Sequence, residues 1–131
     1  MEVYFTKWMA RYSRREGISR SSLRDAIRRA ERGLIDADLG NGLIKQRVAR
    51  AGKGRSGGYR TIIGYRRSER AVFLYGFAKN ERENVRPDEL RSFADTGAVW
   101  LAASEAKILR GLESGELEKI EYGSKEIEPH R

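Results

Sequence analysis

Six cationic side chains stand at spacings that suit work on a phosphodiester. Lys45 and Arg47 alternate in "LIKQRV" (43–48), Lys53 and Arg55 lie in "AGKGRSGG" (51–58), and Arg60 and Arg66 fall in "YRTIIGYR" (59–66). Side chains alternate across an extended strand, so Lys45 shares a face with Arg47, and Arg60 shares one with Ile62, Gly64 and Arg66. Tyr59, Thr61, Ile63 and Tyr65 take the other side of that segment. A guanidinium offers a planar fork of donors that matches phosphate and stays charged at any working pH. A rigid sheet carrying these groups could hold a polyanion and offset charge that builds on its phosphoryl oxygens. The charge is concentrated there: residues 45–86 hold 12 Lys and Arg against 3 acids, whereas 87–131 hold 6 against 10. With a net charge of +8 over 131 residues and a pI near 10.0, the natural partner is nucleic acid.

Several other chemistries are excluded by composition. There is no cysteine, and the one histidine, His130, lies next to the C-terminus. Thiolate metal sites, a Ser-His-Asp triad and a paired-histidine ribonuclease therefore lack their parts, and no metal or cofactor is expected. No apolar run approaches the roughly 18 residues of a membrane span. The N-terminus "MEVYFTKWMARYSRREG" has no signal-peptide core, so the expected setting is the cytoplasm.

Elements of both kinds must position the cations. "EVYFT" (2–6) has strand composition, and a helix follows from Lys7 with Trp8 and Tyr12 at i and i+4, ending at Gly17. A second helix opens in "SRSSLRDAIRRAERGL", with Ser22 and Asp25 in a capping pattern and Leu23, Ile27, Ala30 and Leu34 as its apolar stripe. The two helices are expected to form a hairpin on the sheet. Arg24, Arg28, Arg29 and Arg32 lie off the stripe and read as a solvated face. "DADLGNGL" (36–43) reads as turn, "AGKGRSGG" as a flexible loop, and "RSER" (67–70) as the turn between strands 59–66 and 71–79. Pro87 suits a first helical turn, with Asp88 and Glu89 at its positive end. "DTG" (95–97) is placed to kink or break that helix, whose pattern continues to Gly115. "ELEKIEYG" fits either a last edge strand or a tail. The expected organisation is one domain over 1–131, with a core over about 1–92, a helical extension over about 87–115 and a tail over 116–131.

"SGGYRTIIGYR" followed by "FLYGFAKNERENV" resembles the RelE/ParE superfamily of toxins, most closely its HigB-like branch, over roughly residues 1–92. The resemblance implies an α+β fold: a small twisted antiparallel sheet with an N-terminal helical hairpin and C-terminal helices. It implies a messenger-RNA endoribonuclease working on ribosome-bound transcript and silenced by a helix-turn-helix antitoxin from the same operon. The matching functional positions are Lys45, Arg47, Arg60, Lys79 and Arg82. Asn80 stands where many members have arginine, and Arg86 where some use a tyrosine.

Cleavage through RNA's own 2′-hydroxyl needs a proton acceptor, a stabiliser of phosphoryl charge and a proton donor to the leaving 5′-oxygen. The resemblance and the fork of Arg60 assign it the second task, with Arg82. A lysine crowded by cations can serve as base near neutrality, which selects Lys79 first and Lys45 second. Lys53 and Arg55 suit RNA backbone contacts with Arg47, Asn80 and Arg86. Tyr65 and Tyr75 could stack a base, although both also fit as sheet surface. Two rivals share these residues: a ParE-like poison of DNA gyrase without nuclease activity, and a basic nucleic-acid-binding module.

Overall fold

A computed structural model describes residues 1–50 and 54–123, without the side chains of 54–56. Along the chain run β1 (Glu2–Thr6), α1 (Lys7–Glu16), α2 (Arg20–Glu31), β2 (Ala37–Gly40), β3 (Leu43–Arg50), β4 (Gly54–Arg66) and β5 (Arg70–Ala78). Then come α3 (Pro87–Leu101), α4 (Glu105–Ser114) and β6 (Leu117–Ile120). The strands form one sheet in the order β2-β3-β4-β5-β1-β6. Neighbours are antiparallel except β1 and β5, which run parallel. The expected wholly antiparallel sheet is corrected in that one pairing, because the two helices after β1 carry the chain away before the meander returns beside it.

Each face of the sheet carries its own apolar layer. On one side α1 and α2 cover Phe5, Ile44, Val48, Tyr59, Ile63 and Phe73. On the other, α3 and α4 cover Tyr4, Leu43, Ile62, Val72, Leu74 and Leu117. Strand alternation decides which residue goes where: Tyr59, Ile63 and Tyr65 face α1 and α2, whereas Arg60, Ile62 and Gly64 face the α3 side.

The N-terminal helices differ from a hairpin packed on itself. Helix α1 lies against β5 and β1, and α2 against β3, so each is seated on its own strands. Thr6 caps α1, its Oγ1 accepting from the Met9 N–H at 3.3 Å, and Gly17 closes it as expected. Ser19, not Ser22, caps α2. The Ser22 N–H instead donates to Ser19 Oγ at 3.0 Å, one turn earlier than the capping pattern placed it.

Three further segments depart from expectation. "DADLGNGL" contains strand β2, paired with β3 through a turn in which Gly40, Asn41 and Gly42 all take positive φ (78°, 53° and 78°). Strand β4 begins at Gly54, inside the glycine-rich stretch read as loop. Helix α3 continues through "DTG", because Gly97 is where it meets the sheet. A Cβ built on Gly64 would lie 3.3 Å from the Gly97 Cα. Residues 117–120 form edge strand β6, antiparallel to β1. No helix among the described residues is long and apolar enough to cross a membrane, and they contain no cluster suited to a metal ion.

Candidate nucleic-acid interface

The centre of β3, β4 and β5 brings cations into register. Arg47 stands opposite Arg60, and Arg60 opposite Phe77; one step along, Lys45 stands opposite Ile62, and Ile62 opposite Tyr75. Cross-strand partners point to the same side of a sheet, so Lys45, Arg47 and Arg60 share the α3 face with Tyr75 and Phe77. A register shift between Ile62 and Ile63, where Leu74 is the extra residue of β5, places Leu74 and Tyr75 in the same apolar layer. Such bulges re-aim side chains.

Arg82 completes this face from the loop after β5. Its guanidinium lies over Tyr75 (5.9 Å) and Phe77 (5.7 Å). Every nitrogen of that guanidinium is engaged within the chain. Nη2 and Nη1 bind Glu89 at 2.6 and 3.1 Å, Nη1 also reaches the Tyr75 hydroxyl at 3.2 Å, and Nε donates to the Asn84 carbonyl at 2.9 Å. The same Asn84 accepts from Lys45 Nζ at 3.5 Å through its side chain. Glu89 also accepts from the Arg86 N–H at 2.8 Å. The side-chain bonds from Arg82, then the Arg86 N–H, hold the Glu89 carboxyl down at about 2, and the Glu89 bond keeps Arg82 firmly charged.

Arg60 contrasts with its neighbours. Its Nη1 is buried and has no hydrogen-bond partner among the described residues. A buried guanidinium nitrogen without an acceptor is costly to keep, so an anion arriving there would satisfy a standing demand. Arg47 is already committed to Asp36, through Nη2 at 3.0 Å and its backbone N–H at 2.7 Å. Burial pushes the Asp36 carboxyl up, but the bonds from Arg47 outweigh it and hold the group below the usual carboxylate range. Arg29, itself buried, donates to Asp25, to Asp36 and to the Arg47 carbonyl, tying α2 beneath β3. Asp36 was not singled out from sequence, and Glu89 was read only as a favourable acid at the start of a helix. Asp36 sits two residues before Asp38 and Glu89 directly after Asp88, and only the three-dimensional pairing shows which arginines they hold.

The other residues expected at the site are dispersed. Lys79 is exposed one ladder step past the Arg60–Phe77 pair, its N–H donating to the Gly58 carbonyl at 3.3 Å. With Arg50, Gly57 and Asn80 it lines a depression of about 570 Å³ at the strand ends. Arg86 is exposed at the start of α3 and binds Asp88 at 3.2 Å. Tyr65 lies on the opposite face, where its hydroxyl donates to Glu31 at 2.5 Å. Burial, then that bond, raises its pKa. Tyr75 belongs to the cationic face. Lys53 and the Arg55 side chain lie outside the described residues.

A search of curated proteins found none that matches this chain. The family described as RelE toxin of the RelE / RelB toxin-antitoxin system matches residues 1–120. That span runs past the 1–92 suggested by the strand motifs and takes in all of α3, which carries Glu89, with α4 and β6. The chain belongs to the RelE toxin family.

Proposed function

We propose that this toxin cleaves messenger RNA by attack of the ribose 2′-hydroxyl on the adjacent phosphorus. The observation that carries the reading is the buried Nη1 of Arg60, without a hydrogen-bond partner among the described residues, on a face shared with Lys45, Arg47 and Arg82. In the reaction the 2′-oxygen–phosphorus bond forms and the phosphorus–5′-oxygen bond breaks. One proton leaves the 2′-hydroxyl and one reaches the departing 5′-oxygen, with no redox change.

Arg60 takes the scissile phosphate, where its donor meets charge that grows toward the transition state. Arg82, held over Tyr75 and Phe77 by its pair with Glu89, borders the phosphate site in a fixed position. Of the two lysines suited to accept the 2′-proton, Lys45 shares the Arg60 face. Lys79, with Arg50 and Asn80, suits a flanking phosphate. Chemistry by arginine and lysine needs neither histidine nor metal, which accords with a chain whose one histidine is His130. We further propose that transcript on the ribosome is the substrate, and that a small helix-turn-helix antitoxin silences the toxin.

Primer extension on cellular messenger after a short pulse of expression tests the reading. The expected result is strand breaks inside coding regions, coincident with arrested translation. Intact transcripts accompanied by double-strand DNA breaks would replace it with gyrase poisoning.

A further inference from the structure

We propose that the groove between the start of α1 and the first half of α3 is a nucleobase subsite, continuous with the cationic face through Tyr75. The inference rests on the proposed RNA-directed function and assigns a place to the base of a nucleotide whose phosphate meets the cations. The groove has a volume of about 380 Å³ and is lined mainly by Trp8, Leu74, Tyr75 and Phe93, with Ser92 and Thr96 at its edge. That size falls within the roughly 300–1,000 Å³ of small-ligand clefts. Trp8 stays 45% exposed although Tyr12 stacks on it at 5.1 Å, unusual for so large an apolar ring.

The rings form one ladder. Trp8 stacks on Tyr75 with centroids 4.6 Å apart, and Tyr75 on Phe93 at 5.0 Å. Tyr75 is the wall between two surfaces: its ring lines the groove, while its hydroxyl accepts from Arg82 and its face lies under that guanidinium. A ligand that crosses Tyr75 passes from the apolar groove to the strand face of Lys45 and Arg60, so it must be flat and apolar at one end and anionic at the other. A nucleotide meets both demands, whereas an apolar protein side chain meets only the first. Ser92 and Thr96, four residues apart on one side of α3, offer hydroxyls to the edge of a base.

The test uses a 2′-O-methyl RNA hexamer, which cannot cleave itself, and the same chain with abasic sugars. Trp100 is 8% exposed, so a change in intrinsic fluorescence on binding reports Trp8. The expected result is quenching by the base-bearing hexamer and none by the abasic chain. Trp8→Ala should weaken the base-bearing hexamer roughly 10-fold and leave the abasic chain unchanged. Trp8→Phe should retain most of the affinity. Ser92→Leu, a change at an exposed helical position that fills the groove, should reproduce the loss without touching the ladder.

If Arg60→Ala loses the hexamer while Trp8→Ala and Ser92→Leu bind it as wild type does, the groove is not a base site and the proposed function stands. If those two variants keep the hexamer but escape neutralisation by the antitoxin, a protein side chain occupies the groove and the inference fails. A wild-type protein that binds neither chain overturns both the inference and the function beneath it.

Discussion

Arg47 and Arg60 face each other directly across β3 and β4. Like charges in that relation destabilise a sheet. The chain relieves one of them, Arg47, by binding it to Asp36, while the buried Nη1 of Arg60 has no acceptor among the described residues. On the proposed function, that nitrogen is where the scissile phosphate would be received.

Arg60→Ala should therefore separate activity from stability. Cleavage is expected to fall about 100- to 1000-fold, the usual loss for a well-placed donor. The melting temperature should stay level or rise, since the change removes both the like-charge pair and an unsatisfied buried nitrogen. Thermal melts beside a growth-arrest assay check both halves. A variant that loses activity only because it unfolds would reassign Arg60 to the fold.

Glu89 should contribute to the loss of stability in acid. Its pKa is held at about 2 in the folded protein, against about 4.3 in an unfolded chain. The contribution is present in full above the unfolded value and is lost as pH falls from about 5 toward 2. Melts of wild type and Glu89→Gln from pH 7 to 2 should show a wild-type advantage that shrinks across that window. An advantage that persists unchanged at pH 2 would mean that the pair with Arg82 does not operate in solution.

Lys79 and Lys45 should fail in different ways. Loss of a flanking phosphate contact at Lys79 is expected to weaken RNA binding and to reduce the salt slope by about 0.7. Lys45→Ala should chiefly reduce the cleavage rate of bound RNA. Single-turnover cleavage at several salt concentrations distinguishes them, and the reverse pattern would move the chemistry to the strand ends.

Tyr65 supplies a control on the opposite face. Tyr65→Phe removes the bond to Glu31 and should cost about 1–2 kcal/mol of stability, with cleavage untouched. A large loss of cleavage in a folded Tyr65→Phe protein would contradict the two-faced assignment.

Much of this was legible in the sequence because strand alternation is a local property. It correctly sent Arg60 to one side and Tyr65 to the other, and Pro87 and Gly115 bounded the C-terminal helices. What stayed hidden depends on contacts between distant segments. "DTG" reads as a helix breaker, yet Gly97 is there so that α3 can approach Gly64. The fork of Arg82 looks available until α3 brings Glu89 against it, and Trp8 reads as an ordinary helical aromatic until β5 delivers Tyr75. Glycine content suggested loop at residues 54–58, whereas pairing of Gly54 with Arg50 of β3 starts β4 inside that stretch.

The ends of the RNA fragments test the central claim most directly. Transcripts recovered after a pulse of wild-type toxin should carry 2′,3′-cyclic phosphate or its hydrolysis products at the new 3′ ends, and Arg60→Ala at equal abundance should yield none. New 3′-hydroxyl ends, or the same cyclic ends produced undiminished by Arg60→Ala, would contradict the account.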